Sequence, residues 1–236
     1  MSATQTLETT IATPAKPRSL KELSIRSINV AVAGLAILIA APVMLVAAAL
    51  VRISSPGPII FSQPRVGLCA RSGKDRRGLS AARARDDRRR SDRGGQVFTI
   101  YKFRTMTVAE AKEEWATPEN PRITPIGNFL RKTRIDELPQ LFNVLMGDMS
   151  IVGPRPEQPG IFSTLRESVD YYGYRQKVKP GITGLAQVSL GYDQSVEDVK
   201  KKVEKDLEYI ADRNAWTDVK IMAKTVPVML FRKGAI

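Results

Sequence analysis

Residues 28–51 read INVAVAGLAILIAAPVMLVAAALV, a run of 24 residues without a charged side chain. An apolar run of about 18 or more residues is long enough to cross a bilayer as a helix. The alternative is a core helix of a soluble protein, but such helices normally keep a polar face that this run lacks. The run therefore predicts a membrane-associated helix near the N-terminus.

Pro42 lies near the middle of this run and predicts a bend. In a helix it removes the hydrogen bond to the Leu38 carbonyl and clashes with that group, at a cost of about 3 kcal/mol or more. The arms Ile28–Ala41 and Val43–Ile53 would be roughly 21 and 16 Å long as helices. Because a hydrocarbon core is about 30 Å thick, neither arm crosses it alone. A kinked span and a re-entrant hairpin are both compatible with this pattern.

Basic residues flank the run on both sides. Lys and Arg collect on the cytoplasmic side of membrane segments. Both ends of the run are therefore expected on the cytoplasmic side, which favours the re-entrant hairpin. The flanking cations are Lys16, Arg18, Lys21 and Arg26 before the run and Arg52, Arg65 and Arg71 after it.

The chain as a whole predicts a membrane-associated α+β protein. Residues 1–20, rich in Thr, Ala and Pro, are expected to form a disordered tail, and residues 21–55 a membrane helix–break–helix. Residues 56–236 are expected to form a compact, mostly helical cytoplasmic domain with interfacial amphipathic helices. Its small β-hairpin is predicted to pair the β-branched, apolar segments Ile59–Ser62 and Gln96–Arg104.

The net charge of +13 is concentrated in one segment. Residues 65–93 contain ten Arg and one Lys against four Asp, a balance of +7. Within this segment, an insert at about residues 70–93 has few large apolar side chains and is predicted to be disordered. Attraction to anionic lipids is its simplest role. A membrane-anchored protein that binds nucleic acid is the competing explanation.

The composition excludes several kinds of catalysis. The 236 residues include one cysteine, Cys69, and no histidine. There is therefore no Ser-His-Asp triad, no Cys-His dyad, no HExxH zinc site and no intramolecular disulfide. Catalysis is left to carboxylates, Lys, Arg, Tyr, hydroxyl groups or a hard cation held by oxygen.

The pair Asp136–Glu137 is the first candidate for such chemistry. Asp136 is predicted to cap the N-terminus of a helix over Asp136–Met146 that ends at Gly147. Helix N-termini suit phosphate groups, and an acidic pair beside cations could hold a metal and a diphosphate together. The plainer alternative is an ordinary helix cap. The upstream cations are Arg131, Lys132 and Arg134, and the predicted apolar face is Leu138, Leu141, Phe142 and Leu145.

Three further segments place cations or hydroxyls on rigid backbone. Two prolines flank Arg155 in GPRP at 153–156, and a rigid guanidinium suits phosphate. Turn residues place Lys179 and Thr183 in KPGITG at 179–184. The predicted strand ends in YKFRTM at 101–106, which carries Lys102 and Arg104. The alternatives are a plain turn, a connecting loop and the solvent face of a strand.

Taken together, these segments resemble the bacterial sugar transferases, the monotopic phosphoglycosyl transferases that begin cell-surface glycan assembly. The resemblance covers about residues 24–233, and the stretch at 130–156 joined to KPGITG is its most specific part. The matching segments are the Pro-containing membrane run, FSQPRVG at 61–67, YKFRTM at 101–106, LRKTRIDELPQLFNVLMGDMSIVGPRP at 130–156, KPGITGLAQV at 179–188 and DLEYI at 206–210.

The resemblance implies a reaction and a site. A nucleotide-diphosphate sugar would donate its sugar-1-phosphate to a polyprenyl phosphate in two covalent steps with Mg²⁺, and a nucleoside monophosphate would leave. Asp136 would attack phosphorus, and Asp136 and Glu137 would be associated with the metal. The cations Lys102, Arg104, Arg131, Arg155 and Lys179, together with Thr183, would contact phosphate, and Gln187 and Asp206 would support the site from behind.

The resemblance also implies partners and a location. The partners are the nucleotide-diphosphate sugar, polyprenyl phosphate and anionic membrane lipids, with no nucleic acid, and a homodimer is compatible with the sequence. The domain would lie on the cytoplasmic face of the bacterial inner membrane, anchored by a re-entrant helix that bends at Ala41–Pro42. The family usually has Ser where Ala41 stands, and its loop at residues 70–93 is usually shorter.

A carboxylate nucleophile fits a chain without histidine. With an ordinary pKa of about 3.9, an Asp side chain is ionised at neutral pH and needs no general base. Its difficulty is repulsion from the diphosphate, about 4 kcal/mol for two unit charges 4 Å apart at an effective dielectric constant near 20. Cations beside the carboxylate are therefore expected.

Overall fold

The apolar run folds as part of one long helix, α1, which extends from Leu20 to Ser54 and contains Pro42. By length and composition, α1 is long and apolar enough to cross a membrane. The helix–break–helix predicted for residues 21–55 is a single helical element, because one missing backbone bond at Pro42 does not end an apolar helix. A bend at Pro42 and the re-entrant path stay predictions.

The computed structural model describes residues 20–69, 95–107, 120–190 and 196–230. The predicted tail before Leu20 and the Arg-rich insert at about 70–93 lie outside these residues. After α1 the elements are β1 Ile60–Val66, β2 Val97–Phe103, α2 Pro125–Thr133, a 3₁₀ turn Ile135–Glu137, α3 Gln140–Met146, β3 Ser150–Val152, α4 Pro159–Ser168, a 3₁₀ segment Tyr172–Lys177, β4 Gly181–Thr183, α5 Leu185–Ser189, α6 Val196–Asp212 and α7 Ala215–Leu230.

The described residues form a mixed, mostly helical fold with two small sheets, as the sequence predicts. Strands β1 and β2 pair antiparallel, with Ile60 opposite Phe103 and Val66 opposite Val97. This confirms the predicted hairpin. Strands β3 and β4 pair in parallel, with Ser150 opposite Gly181. The sequence did not predict this second sheet, because strands of three residues are too short to show an alternating pattern.

Both arms of α1 pack on the folded domain. Ala33, in the first arm, belongs to an apolar cluster with Ile100, Val144 and Met149. Ala47 and Val51, in the second arm, belong to another cluster with Phe103 and Leu130. The middle of α1 carries large exposed apolar side chains instead, namely Leu35, Leu38, Ile39, Val43, Leu45 and Val46. The domain therefore packs on one face of both arms of α1, and the large apolar side chains on the other face of its central part are exposed.

The helix predicted at Asp136–Met146 begins four residues later, at Gln140. Arg134 ends α2 in a left-handed conformation with φ of 60°, and Ile135–Glu137 then tighten into a 3₁₀ turn. Phe142, which was predicted on the buried face, is 44% exposed, whereas Val144 and Asn143 are fully buried. The C-terminal stop is confirmed, since Gly147 has φ of 94° and donates to the Asn143 and Val144 carbonyls.

Candidate active site

Helix α2 ends just before the acidic pair and places it beside the end of strand β2. Thr124 caps α2, and its Oγ1 accepts a hydrogen bond of 2.9 Å from the Gly127 amide. Gly127 allows close approach, because a Cβ there would lie 2.0 Å from the Thr105 carbonyl oxygen. The end of α2 thereby lies beside the residues that follow β2, and the 3₁₀ turn places Asp136 and Glu137 there.

Asp136 is not the helix cap that the sequence predicted. The amide of Glu137 bonds to the Arg134 carbonyl, and the amide of Leu138 bonds to the Ile135 carbonyl, which makes a tight turn around Asp136. Pro139 occupies the cap position of α3, and no side chain caps that helix. The Asp136 carboxylate is therefore not used in capping α3.

Glu137 forms the charged centre of the site. Its Oε1 accepts from Lys102 Nζ and from Arg155 Nη2, each at 2.8 Å. Glu137 is only 8% exposed. Burial by itself raises the pKa of this carboxyl, but the attraction of Arg155 and Lys102 outweighs burial, and the pKa falls well below its usual value. Glu137 is therefore a fixed negative charge.

Asp136 has the opposite electrostatic environment. It is 7% exposed, and its Oδ1 is buried with no hydrogen-bond partner among the described residues. Burial and the neighbouring Glu137 raise the pKa of Asp136 to about 6, against the attraction of Lys102, Arg131 and Arg155. The ordinary value assumed from the sequence is thus too low. At neutral pH the group is still mostly ionised, and its oxygen is available for a bond.

Three of the predicted phosphate-contacting cations lie around this pair. Lys102 at the end of β2 and Arg155 in the loop after β3 contact Glu137 directly. Arg131, on α2, donates 2.9 Å to Thr105 Oγ1, and its charge acts on Asp136. Burial lowers the pKa of Lys102, although Glu137 opposes this. The structure thus brings together residues that are 18 to 35 positions apart in the sequence.

Arg104 has a different place from the one predicted. It is 5% exposed, and its guanidinium donates to carbonyl oxygens at the C-terminal end of α1. The distances from Nη2 are 3.2 Å to Val51 O and 2.6 Å to Ser55 O, and Nη1 donates to Pro58 O. Because carbonyls surround this guanidinium, we no longer assign Arg104 to phosphate binding.

Three predicted site residues lie around strand β4, and their contacts described here are with residues outside the acidic pair. They are Lys179, Thr183 and Gln187. The Lys179 ammonium lies beside Gly147, at the far end of α3 from Glu137. The Thr183 and Thr225 hydroxyls are 2.8 Å apart and join β4 to α7. Gln187 donates 3.2 Å to the Ile182 carbonyl. These residues pack around strand β4, and the contacts described here do not include Asp136 or Glu137.

Asp206 is connected to the site through a residue that sequence reasoning missed. It is 2% exposed and accepts from Arg175 Nε at 2.7 Å. Arg175 Nη2 donates 3.1 Å to the main-chain oxygen of Arg155. An isolated Arg among the tyrosines of YYGYRQK gives no pattern that would have predicted this role.

The acidic pair has the oxygen donors that a magnesium ion prefers. Mg²⁺ is commonly held by one or two carboxylates together with water and substrate phosphates. Asp136 Oδ1 is buried and unpaired beside a second carboxylate, which fits such an ion. No group of three or more His, Cys, Asp or Glu side chains suited to a metal occurs in the described parts of the chain. Any metal here would therefore depend on substrate oxygens.

Sequence comparison places these residues in a known family. Residues 20–74 and 85–232 match the family described as bacterial sugar transferase. The chain belongs to the bacterial sugar transferase family. The family match includes α1, both sheets and the acidic pair, and it omits residues 75–84 of the Arg-rich insert. In this sugar transferase the acidic turn, Lys102 and Arg155 are thus all within the family's matched region.

Several curated relatives carry names that describe their reactions. The chain is 40% identical over 205 residues to an Escherichia coli K12 protein named UDP-glucose:undecaprenyl-phosphate glucose-1-phosphate transferase, covering 85% of this chain and 39% of that protein. It is 36% identical over 223 residues to a Caulobacter vibrioides protein of the same name, covering 93% and 74%. It is 38% identical over 212 residues to an Aeromonas hydrophila UDP-N-acetylgalactosamine-undecaprenyl-phosphate N-acetylgalactosaminephosphotransferase, covering 89% and 44%. This sugar transferase chain therefore spans about two fifths of the Escherichia coli and Aeromonas relatives and three quarters of the Caulobacter one.

Proposed function

We propose that this chain transfers a sugar-1-phosphate from a UDP-sugar to undecaprenyl phosphate and releases UMP. The observation that carries the proposal is the buried, unpaired Asp136 carboxylate beside Glu137, Lys102 and Arg155. The relatives' names, which specify undecaprenyl phosphate and UDP-sugars, support both substrates. The product would begin the assembly of a cell-surface glycan on the cytoplasmic face of the inner membrane.

Asp136 is the nucleophile in this proposal. One carboxylate oxygen attacks the phosphorus that carries the sugar, a new oxygen–phosphorus bond forms, and the bond to the bridging oxygen of the diphosphate breaks. UMP leaves with that oxygen. An oxygen of polyprenyl phosphate then attacks the same phosphorus and breaks the bond to Asp136, which restores the carboxylate. The raised pKa of Asp136 supports this role, because a less stabilised carboxylate is the better nucleophile.

The surrounding cations reduce the repulsion between the carboxylate and the diphosphate. Lys102 and Arg155 both lie within hydrogen-bond distance of Glu137, so their charges are held beside Asp136 before substrate arrives. Arg155 is 39% exposed, so part of its guanidinium faces solvent. A planar guanidinium can bind a phosphate through two parallel hydrogen bonds. Arg155 is therefore the cation that we assign to the donor diphosphate.

Mg²⁺ is the cofactor that we propose, held by Asp136 and Glu137 together with the donor phosphates. When bound, it would neutralise charge on the diphosphate and on the departing phosphate. Glu137 suits this role because its lowered pKa keeps it ionised throughout the physiological pH range. The protein's own part is to keep the acidic pair dry and close to Lys102 and Arg155.

We propose that α1 enters and leaves the membrane on the same side. Arg26, before the apolar run, donates to the Val144 and Leu145 carbonyls of α3. At the other end Arg104 donates to the Val51 and Ser55 carbonyls. A straight helix separates residues 26 and 51 by about 38 Å, more than a hydrocarbon core of about 30 Å. A helix that crossed the bilayer could not keep both ends on one domain, so these contacts support re-entry.

The test is covalent labelling from the donor alone, with no lipid acceptor. With a UDP-sugar labelled on the β-phosphorus, the protein should retain label on Asp136. With label on the α-phosphorus, it should release labelled UMP and retain none. Asp136→Asn should abolish retention and turnover. Asp170→Asn is the matched control, since Asp170 is an exposed carboxylate on the same domain.

Full turnover in Asp136→Asn would refute the proposed chemistry. Absence of UMP release by the wild-type protein, together with salt-sensitive binding to nucleic acid, would favour the alternative suggested by the basic composition. A panel of UDP-glucose, UDP-galactose and UDP-N-acetylgalactosamine, scored by UMP release, would identify the sugar.

A further inference from the structure

The loop that carries Arg155 is held in place by donors from other parts of the chain. It runs through Gly153-Pro154-Arg155-Pro156-Glu157 between β3 and α4 and belongs to neither a helix nor a strand. Its two prolines have no N–H group to donate. Beyond the Gly153 amide, which donates 2.9 Å to Thr183 O, the hydrogen bonds that hold the loop are accepted by its carbonyl oxygens.

Four successive carbonyls in this loop each accept a hydrogen bond. Two of the donors are backbone amides, from Gly181 to Pro154 O at 2.9 Å and from Val66 to Glu157 O at 2.9 Å. The other two are guanidinium groups, from Arg175 to Arg155 O and from Arg65 to Pro156 O, each at 3.1 Å. The bond at the functional residue itself thus comes from the Arg175 side chain.

Arg175 is itself held on three sides. Its Nε donates 2.7 Å to Asp206 Oδ2 on α6, and its Nη1 donates 2.7 Å to the Tyr172 hydroxyl. Its guanidinium carbon lies 4.9 Å from the centre of the Tyr172 ring. The side chains of Arg175 and Asp206 are 10% and 2% exposed. Because each of its three nitrogens donates a hydrogen bond, this buried guanidinium has little freedom to move.

We infer that Arg175, oriented by Asp206, is a positioning residue for the transfer reaction. It fixes the main chain of Arg155 so that the Arg155 guanidinium reaches Glu137 and the donor diphosphate. A connected path runs from Asp206 to Arg175, then to the Arg155 carbonyl, and through the Arg155 side chain to Glu137 at 2.8 Å. Arg175 does not contact the acidic pair in the bonds described here, so its effect passes through Arg155.

This inference rests on the proposed function, and a double-mutant cycle tests it. The measured quantity is kcat/KM for the UDP-sugar in Arg155→Met, Arg175→Met and the double variant. Partners that orient a site residue typically cost 10- to 100-fold when removed, so Arg175→Met alone should lower kcat/KM by about 10- to 100-fold. In the Arg155→Met background the same change should cost less than about threefold, because a residue that acts through another is non-additive with it.

Arg213→Met is the matched control. Arg213 is also a buried guanidinium paired with one carboxylate, Glu22, at 2.6 Å, but it binds the start of α1. Arg213→Met should change kcat/KM by the same factor in the wild-type and Arg155→Met backgrounds. If Arg175→Met unfolds the protein, Arg175→Lys replaces it in the cycle, because lysine keeps the charge but loses the planar, three-acceptor geometry.

The outcomes separate this inference from the proposed function. If Asp136→Asn keeps full turnover, the proposed function fails. If Asp136→Asn is inactive but Arg175→Met has the same fold-effect in both backgrounds, only the positioning role is overturned. Full activity in Arg155→Met would also overturn the role, since the positioned residue would then be dispensable.

Discussion

At the scale of single residues, burial and the neighbouring Glu137 disfavour the ionised form of Asp136, the form in which it is proposed to react. Its neighbour Glu137 takes hydrogen bonds from Lys102 and Arg155, while Asp136 Oδ1 takes none. Two adjacent carboxylates thus have pKa values shifted in opposite directions. Such separation is typical of functional sites, where groups with different roles need different protonation behaviour.

The raised pKa of Asp136 predicts the acidic limb of the pH profile. Attack requires the carboxylate, so kcat/KM for the donor should fall about tenfold per pH unit below about 6. An ordinary Asp would place this limb near pH 4. Initial rates of UMP release between pH 4.5 and 8 would measure it, and a limb near 4 would contradict the buried environment described here.

The same burial predicts that Asp136→Asn makes the protein more stable. The folded-state pKa of about 6 exceeds the ordinary 3.8, so stability falls as pH rises through this window and the cost is complete above it. Removing the charge should recover about 3 kcal/mol at pH 7.5. That corresponds to a rise in Tm of about 6–12 °C for a domain of this size.

Thermal unfolding of Asp136→Asn at pH 7.5 and pH 4 would check this. The gain should shrink at pH 4, where wild-type Asp136 is protonated in the fold. Asp170→Asn, at an exposed site, should change neither midpoint by more than a small amount. An Asp136→Asn protein that is less stable than wild type at pH 7.5 would oppose the argument.

Residue types and spacing predicted part of the site. The absence of histidine, the acidic pair and the Pro-bounded Arg155 could all be read from the sequence. The function of Arg104 could not, because a cation after a strand looks the same whether it faces a phosphate or a helix end. Arg175 could not be predicted either, since its contacts are with Asp206 and Arg155, 31 and 20 positions away.

At the scale of elements, the end of β2 is joined to the end of α1 by one buried side chain. Arg104 binds three carbonyls at or just after the C-terminus of α1, where the last turn of a helix leaves such groups unpaired. Lys102, two residues earlier, binds Glu137. A single short segment therefore connects α1 to the turn that carries the acidic pair.

Arg104→Met should destabilise the protein rather than weaken donor binding. It would remove the guanidinium donor from the partly buried Ser55 and Pro58 carbonyls, at a cost of about 1–3 kcal/mol each, while Val51 O keeps the hydrogen bond from Ser54 Oγ. Thermal unfolding should show a lower Tm, and the folded fraction should keep its KM for the UDP-sugar. Lys132→Met, at an exposed cation on α2, is the control. A raised KM with an unchanged Tm would return Arg104 to phosphate binding.

Helix boundaries show why local patterns were insufficient for the acidic turn. The periodicity of Leu138, Leu141 and Leu145 predicted a helix through residue 136, and a left-handed Arg134 displaced its start to Gln140. No simple rule predicts a left-handed Arg, because this conformation favours Gly and Asn. Gly147, in contrast, was predicted correctly because glycine is the usual residue for a left-handed helix stop.

At the scale of the whole molecule, the central part of α1 has a face of large apolar side chains that the domain does not cover. At the start of α1, Glu22 pairs with Arg213, which lies between α6 and α7, and Arg26 donates to α3. At the end of α1, Arg104 donates to the Val51 carbonyl. These contacts at both ends favour the re-entrant path proposed above.

Both ends of α1 should therefore be accessible from the same side of the membrane. Single cysteines at Ser24→Cys and Arg52→Cys, in a Cys69→Ser background, would report this, because both native side chains are exposed. A membrane-impermeant maleimide should label both in inside-out vesicles and neither in right-side-out vesicles. Labelling of the two positions from opposite sides would establish a crossing helix instead.

Asn29 has a consequence for the order of events during translation. Its Nδ2 bonds to Ile25 O within α1, but its Oδ1 accepts from the Ile151 amide, 122 residues further along the chain. At about 5–20 residues per second, the ribosome needs roughly 6–24 s to make that distance. Helix α1 is thus synthesised long before the segment that it binds exists. If α1 inserts into lipid as it is made, the domain folds against a helix that is already in the membrane.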